Sequence, residues 1–216
     1  AFPPYFFGFQ FEEIDVMPRQ HCLKTAIFCL ATVMTLLVEM PRAALTAENS
    51  GLWEALRDRT AFAMMRHALA PGTGDPLTVV IGDCTTQRNL SESGREQARK
   101  VGTAFRANGI PAARVFTSQW CRCAETAELL GIGDVTPLPA LNSFFTEMER
   151  RAGQTAALSE WIAGYKNNAP LVLVTHQVNI TALTEVYPRS GEIVVARRGE
   201  NGNIRVLGTL HVPARR

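Results

Sequence analysis

The sequence has no run of like charge, no internal repeat and no low-complexity segment. Its basic residues are scattered, so a net charge of +2 describes no stripe for nucleic acid. Metal chemistry finds little to work with. Cys121 and Cys123 flank a single residue, no second Cys/His pair stands at zinc-binding spacing, and no cluster of carboxylates offers itself to a harder cation. The longest apolar stretch, Thr25 to Val38, falls short of the roughly 20 residues that span a membrane. No cofactor, no metal and no nucleic acid are therefore expected.

What is present is enough for one core. The chain has 216 residues, 46% of them hydrophobic. Residues 1–16 show no helical or strand period and read as an upstream extension. From Met17 the pattern changes. Arg19 and Lys24 precede the apolar stretch, and "AALTA" supplies small residues before Glu48. This is the form of a secretory signal peptide over residues 17–47, with Leu45 and Ala47 at the −3 and −1 positions. An uncleaved membrane anchor and a buried core helix are the alternatives. The expectation is a periplasmic protein cleaved near Ala47, touching membrane only if that segment is retained, with residues 48–216 forming one domain. Cys84, Cys121 and Cys123 remain in that domain. In an oxidising compartment one pair can close, and the sequence does not say which.

Strand and helix signals alternate. "FAMM" (Phe62–Met65) reads as a buried strand, and a long loop to Asn89 carries the turn residues of "PGTGDP" and a short extended piece at Leu77–Ile81. Ser91 is a good N-cap for a helix with Ala98, Val101 and Phe105 on one face, stopped by Gly109-Ile110-Pro111. A strand Arg114–Thr117, a helix ending at Gly131, the extended "DVTPLPAL", and a helix from Thr146 to Lys166 interrupted at Gly153 follow. The strand Leu171–Thr175, a short helix from about Val178 to Glu185, and a hairpin around "GENGN" complete the chain. The alternation predicts a three-layer α/β fold with a largely parallel sheet and helices on both faces.

In such sheets ligands bind at the carboxyl ends of the strands. The first strand ends in Arg66-His67, the second in Thr117-Ser118 with Arg122 just beyond, and the most apolar one in Thr175-His176. Each alone has a bland explanation as a solvated charge or a satisfied polar group. Together they suit phosphoryl transfer. Two guanidinium forks and helix N-termini hold phosphate oxygens. One neutral imidazole attacks phosphorus, and water hydrolyses the phosphohistidine. A second imidazole, cationic with substrate bound, hydrogen-bonds the transferred oxygens.

Four motifs in order resemble the histidine phosphatase superfamily, with its phosphoglycerate mutase-like fold, over about residues 60–212. They are "MMRHA", "LSESGREQA", "SQWCRCAETA" and "LVLVTH". The resemblance implies that His67 is the nucleophile, that Arg66 and Arg122 clamp the phosphate, and that His176 is the second histidine of the pocket. It implies structural roles for Leu90, Gly94 and Ala98. Three departures stand out. Ala68 replaces the usual glycine. Ser143 stands where the mutase branch has its acidic residue. Gln177, Val178 and Asn179 stand where the acid-phosphatase branch has its aspartate. Asp83 is the first candidate for the leaving-group acid, Glu147 the second and Asp75 the third. Arg88 is a candidate phosphate or sugar contact, or a loop salt bridge. The expected function is an exported phosphomonoesterase acting on a small phosphorylated substrate, a sugar or lipopolysaccharide phosphate. A narrower resemblance, to the lipopolysaccharide core heptose phosphatases, rests on the leader, the small domain and the cysteine in the long loop. A protein phosphohistidine phosphatase and a non-catalytic phosphate-binding module of the same fold are the alternatives.

Overall fold

The structure is a computed structural model that describes residues 49–166, 168–199 and 202–212. The expected extension 1–16 and leader 17–47 lie outside the described residues. Among those described, no helix is long and apolar enough to cross a membrane.

Six strands form one sheet: β1 (Phe62–Arg66), β2 (Arg114–Thr117), β3 (Val135–Pro137), β4 (Leu171–Thr175), β5 (Ile193–Arg198) and β6 (Ile204–Leu210). The order is β3-β2-β4-β1-β5-β6. β3, β2, β4 and β1 run parallel, while β5 and β6 are antiparallel additions at the β1 edge. Alternation along β1 explains the two covered faces. Ala63 and Met65 pack with Leu56 of helix α1 (residues 49–57), with Val101 and Phe105 of α2 (Glu92–Ala107), and with Ala127 and Leu130 of α3 (Cys121–Leu130). Phe62 and Met64 face the other way, onto Leu158 and Ile162 of α4 (Arg151–Gly164) and Ile180 of α5 (Gln177–Thr184). The three-layer, largely parallel architecture expected from the sequence is the one observed.

Local signals act as their chemistry requires. Ser91 Oγ accepts the Gly94 amide and starts α2. Gly131, in the left-handed region at φ 57°, closes α3. Gly94 has a packing reason: a Cβ there would stand 2.1 Å from the Leu69 carbonyl oxygen. That contact sets α2 directly behind the chain leaving β1.

Three expectations are corrected. Leu77–Ile81 forms turns, not an extended piece, because its amides find loop partners and no strand lies alongside. The fourth helix begins at Arg151, after a 3₁₀ turn at Met148–Arg150, and Gly153 sits inside it without interrupting it. Helix α1, unforeseen, is held by Leu52, Trp53 and Leu56, all buried against the sheet. Their spacing is a helical signal, but a short one, followed at once by the charged Arg57-Asp58-Arg59.

Candidate active site

Strand register brings the motif residues together. Arg66 is level with Thr175, and Thr117 with Val174. The ladders continue one step past the strands: His67 N donates to Thr175 O at 2.9 Å, and Ser118 N to Val174 O at 3.0 Å. Because β4 lies between β2 and β1, His176 emerges between Ser118 and His67. These ends floor a cavity of about 430 Å³, lined also by Asp75, Arg88, Trp120, Arg122 and Glu147.

Arg122, in the first turn of α3 and 3% exposed, is the hub. Its Nε donates to His67 Nε2 at 3.2 Å, its Nη2 to His176 Nδ1 at 3.2 Å, and its Nη1 to Asp75 Oδ1 at 2.8 Å. A guanidinium only donates, so these contacts fix the tautomers. His67 carries its proton on Nδ1, which donates to Ala68 O at 2.8 Å, and leaves the Nε2 lone pair toward Arg122. His176 carries its proton on Nε2, 2.8 Å from Ser118 Oγ.

Burial, then the Arg122 charge, holds His67 well below the ordinary histidine pKa. The same two causes, in the same order, depress His176. Both imidazoles are therefore neutral near pH 7. The cations are crowded: burial lowers the Arg66 and Arg88 pKa values, and proximity to Arg122 lowers both further. Arg66 Nη1 donates to Pro188 O at 3.0 Å, while its Nε is buried with no hydrogen-bond partner among the described residues. Three guanidiniums thus share the cavity lining with one largely covered carboxylate, Asp75, and with half-exposed Glu147.

The surrounding polar groups keep this arrangement in place. Thr126 Oγ1 accepts the Ala68 amide and donates to Arg122 O, tying the nucleophile loop to α3. Positive φ outside glycine occurs among the described residues only at Arg59 and Glu185, so Ala68 needs no glycine-like backbone. Gln97 Oε1 accepts the Leu69 amide, and its Nε2 donates to Ser190 O. Cys123 is a free, buried thiol 3.4 Å from His176 Nε2, its pKa pushed up to about 12 by burial.

The long loop is pinned to α3. Cys84 and Cys121 form a disulfide, which settles the pairing left open by the sequence. Gln87 Oε1 accepts the Cys121 amide at 2.9 Å. Asp75 accepts from Arg122, from the Arg88 amide and from Trp120 Nε1 at 3.2 Å.

The order of the carboxylate candidates changes. Asp83 lies outside the cavity, with Oδ1 accepting from Thr85 N and Thr85 Oγ1, and those bonds lower its pKa. Asp75 and Glu147 both line the cavity, as does Ser143. Arg88 is no salt bridge in the loop sense: its Nε donates to Gly74 O and its Nη1 to Ala70 O, bracing the loop while facing the cavity. Trp120, overlooked in the sequence, packs edge-on to His176 with ring centroids 5.5 Å apart. Its signal was its place within the third motif, two residues before Arg122. Among the described residues no group of three or more His, Cys, Asp or Glu side chains is placed to hold a metal ion.

Comparisons with known proteins agree with this architecture. Residues 63–149 match the sequence model of the histidine phosphatase superfamily, branch 1. No curated protein matches the chain by sequence. A candidate alpha-ribazole-5'-P phosphatase from Escherichia coli K-12 superposes with a TM-score of 0.52 at 14% identity, covering 68% of this chain and 94% of that one. YhfR of Bacillus stearothermophilus gives 0.51 at 14% identity, with the same coverage of 68% and 94%. The protein histidine phosphatase SixA with tungstate gives 0.49 at 18% identity, covering 69% and 96%. The fold is that of the histidine phosphatases.

Proposed function

We propose that this chain, a histidine phosphatase superfamily sequence over residues 63–149, hydrolyses phosphomonoesters through a phosphohistidine at His67. The observation that carries the reading is Arg122, which hydrogen-bonds both buried imidazoles at 3.2 Å within one cavity. His67 Nε2 attacks phosphorus and the ester P–O bond breaks, the leaving oxygen taking a proton. Water then attacks phosphorus, the P–N bond breaks, and inorganic phosphate leaves. Arg122 and Arg66 take the non-bridging oxygens, and the orphaned Arg66 Nε gains the partner that a buried donor requires. An arriving dianion favours the protonated form of His176, which then donates to it. Nothing in this sequence of steps calls on a metal.

The finer reading is an exported enzyme acting on a sugar or lipopolysaccharide phosphate. The leader-like residues 17–47 support export, and so does the Cys84–Cys121 disulfide, a bond that persists in oxidising compartments. The decisive test is chemical. Rapid quenching during turnover should trap an acid-labile, base-stable phosphoenzyme. His67→Ala should lose it together with about 10⁵-fold in rate, near 7 kcal/mol of barrier. A variant retaining a tenth of the activity would sink the assignment.

A further inference from the structure

The cavity has two chemically unlike ends. Its floor is cationic, with Arg66, Arg88 and Arg122. Its mouth carries an apolar cluster, Leu77, Val79, Phe145 and Tyr187, beside the polar Thr73, Thr146 and Glu147. Leu77 is fully exposed, Tyr187 is 73% exposed and Phe145 47%. Val80 and Ile81, next in the loop, also face solvent. Single exposed apolar residues mean little, but a cluster around one opening marks a binding surface. The cluster is built into the fold. Val80 N donates to Thr86 Oγ1 and Val80 O accepts from Gln87 Nε2, both at 2.9 Å, so the loop presents these side chains on a fixed backbone. The two halves of the mouth meet at Gly74, where a Cβ would be in ordinary contact, 3.7 Å, with the Phe145 ring.

We infer that the mouth takes the hydrocarbon part of an amphiphilic phosphomonoester, one whose alcohol side is an alkyl or acyl-bearing chain. The inference rests on the phosphatase reading, which fixes the phosphate at His67. Whatever is esterified to that phosphate must leave the cavity past Leu77, Phe145 and Tyr187. A free sugar phosphate would leave those side chains in water, whereas a chain would cover them.

The test uses alkylphosphonates, which are bound but not hydrolysed, from ethyl to octyl, each below its micellar concentration, with the full chain titrated by calorimetry. A fully buried methylene is worth about fourfold in affinity, so a half-open mouth should give at least about twofold per methylene, roughly 60-fold from ethyl to octyl. In Leu77→Ser and Phe145→Ser that ratio should collapse to a few fold, each variant serving as its own reference through its ethylphosphonate affinity. Affinity independent of chain length, or a ratio unchanged in both variants, overturns the inference. Turnover of simple esters combined with flat alkyl dependence would do so while leaving the phosphatase reading intact. Rising affinity without turnover of any ester would break that reading and keep the apolar site.

Discussion

On one side of the cavity stand His67, Arg122 and His176, none more than 3% exposed, each set by the end of a parallel strand or the first turn of a helix. On the other stands the loop from Ala68 to Leu90, where Leu77 is fully exposed and Asp83 is unburied. The first region is held by strand register and by hydrogen bonds among the reactive groups themselves. The second is held by four attachments to α3: the Ala68 amide on Thr126, the disulfide, Gln87 on the Cys121 amide, and Asp75 on Arg122 and Trp120. The strand ends fix the chemistry, while the loop decides what reaches it. Substitutions at the strand ends should act on the chemical step, and those in the loop on substrate binding.

After loss of the nucleophile, the largest effect should come from Arg122→Lys. An ammonium supplies three donors from one point, but Arg122 reaches His67, His176 and Asp75 with three separate nitrogens. Activity should fall about 10³-fold, close to the loss in Arg122→Ala, in line with removal of an oxyanion donor. Lysine restoring most of the rate would mean that the fork is not used on phosphate.

The carboxylates should separate next, by the ratio of two substrates rather than by one rate. Asp75 is committed through both oxygens, so Asp75→Asn should slow alkyl and aryl phosphates alike, by about 10-fold or more, the scale of a lost charge-assisted bond. Glu147 lines the cavity, half-exposed, and its carboxylate is bonded to Arg150 alone among the described residues. If it protonates the leaving oxygen, Glu147→Gln should slow an alkyl phosphate about 100-fold and p-nitrophenyl phosphate little, since general acid catalysis matters least for a good leaving group. Asp83→Asn is the control and should change neither. A selective loss in Asp75→Asn instead would exchange the two roles.

The contrast between the regions also has a pH signature. His67 and His176 are neutral in the folded state, and their pKa values lie well below the unfolded value near 6.5. Between the folded and unfolded pKa values the unfolded chain binds more protons, so stability rises with pH there. It is fully present above about 6.5 and drains away as pH falls below it. Urea midpoints at pH 7.5 and 5 should show this loss, and His176→Gln should reduce it. An unchanged midpoint in the parent protein would mean that the imidazoles are solvated.

The strand-end half of the site was legible because its residues are tied to period and order. Apolar runs ending in Arg66-His67, Ser118 and His176 leave few ways to arrange a parallel sheet, and each way brings them to one edge. The loop half was not. Asp75 and Asp83 both lie in the loop that follows His67, but the turn at Thr85 takes Asp83 and the Arg122 fork takes Asp75. The disulfide partner was hidden for the same reason. Nothing local tells Cys121 from Cys123, but one faces the loop at the start of α3 and the other faces His176 in the interior. Ser143, the position at which the resemblance in the sequence led to an expected acid, lines the same cavity as Glu147, four residues on.

The smallest effect on turnover should belong to the disulfide. Reduction leaves the Ala68 amide, Gln87 and Asp75 to hold the loop on α3, so the floor of the cavity keeps its geometry. The mouth should loosen, because Leu77 and Val79 reach it only through that loop. Cys84→Ser/Cys121→Ser should thus raise KM several-fold with kcat within about twofold, the pattern of lost binding common to ground and transition states. Its cost should appear mainly in stability. Cross-linking residues 37 apart is worth about 4 kcal/mol in the chain-entropy account. An alkyl substrate should suffer more in KM than ethyl phosphate, since only the alkyl chain uses the mouth. A fall in kcat as large as the rise in KM would show that the loop holds Arg122 in place for the chemical step, and that the two sides of the cavity are mechanically one.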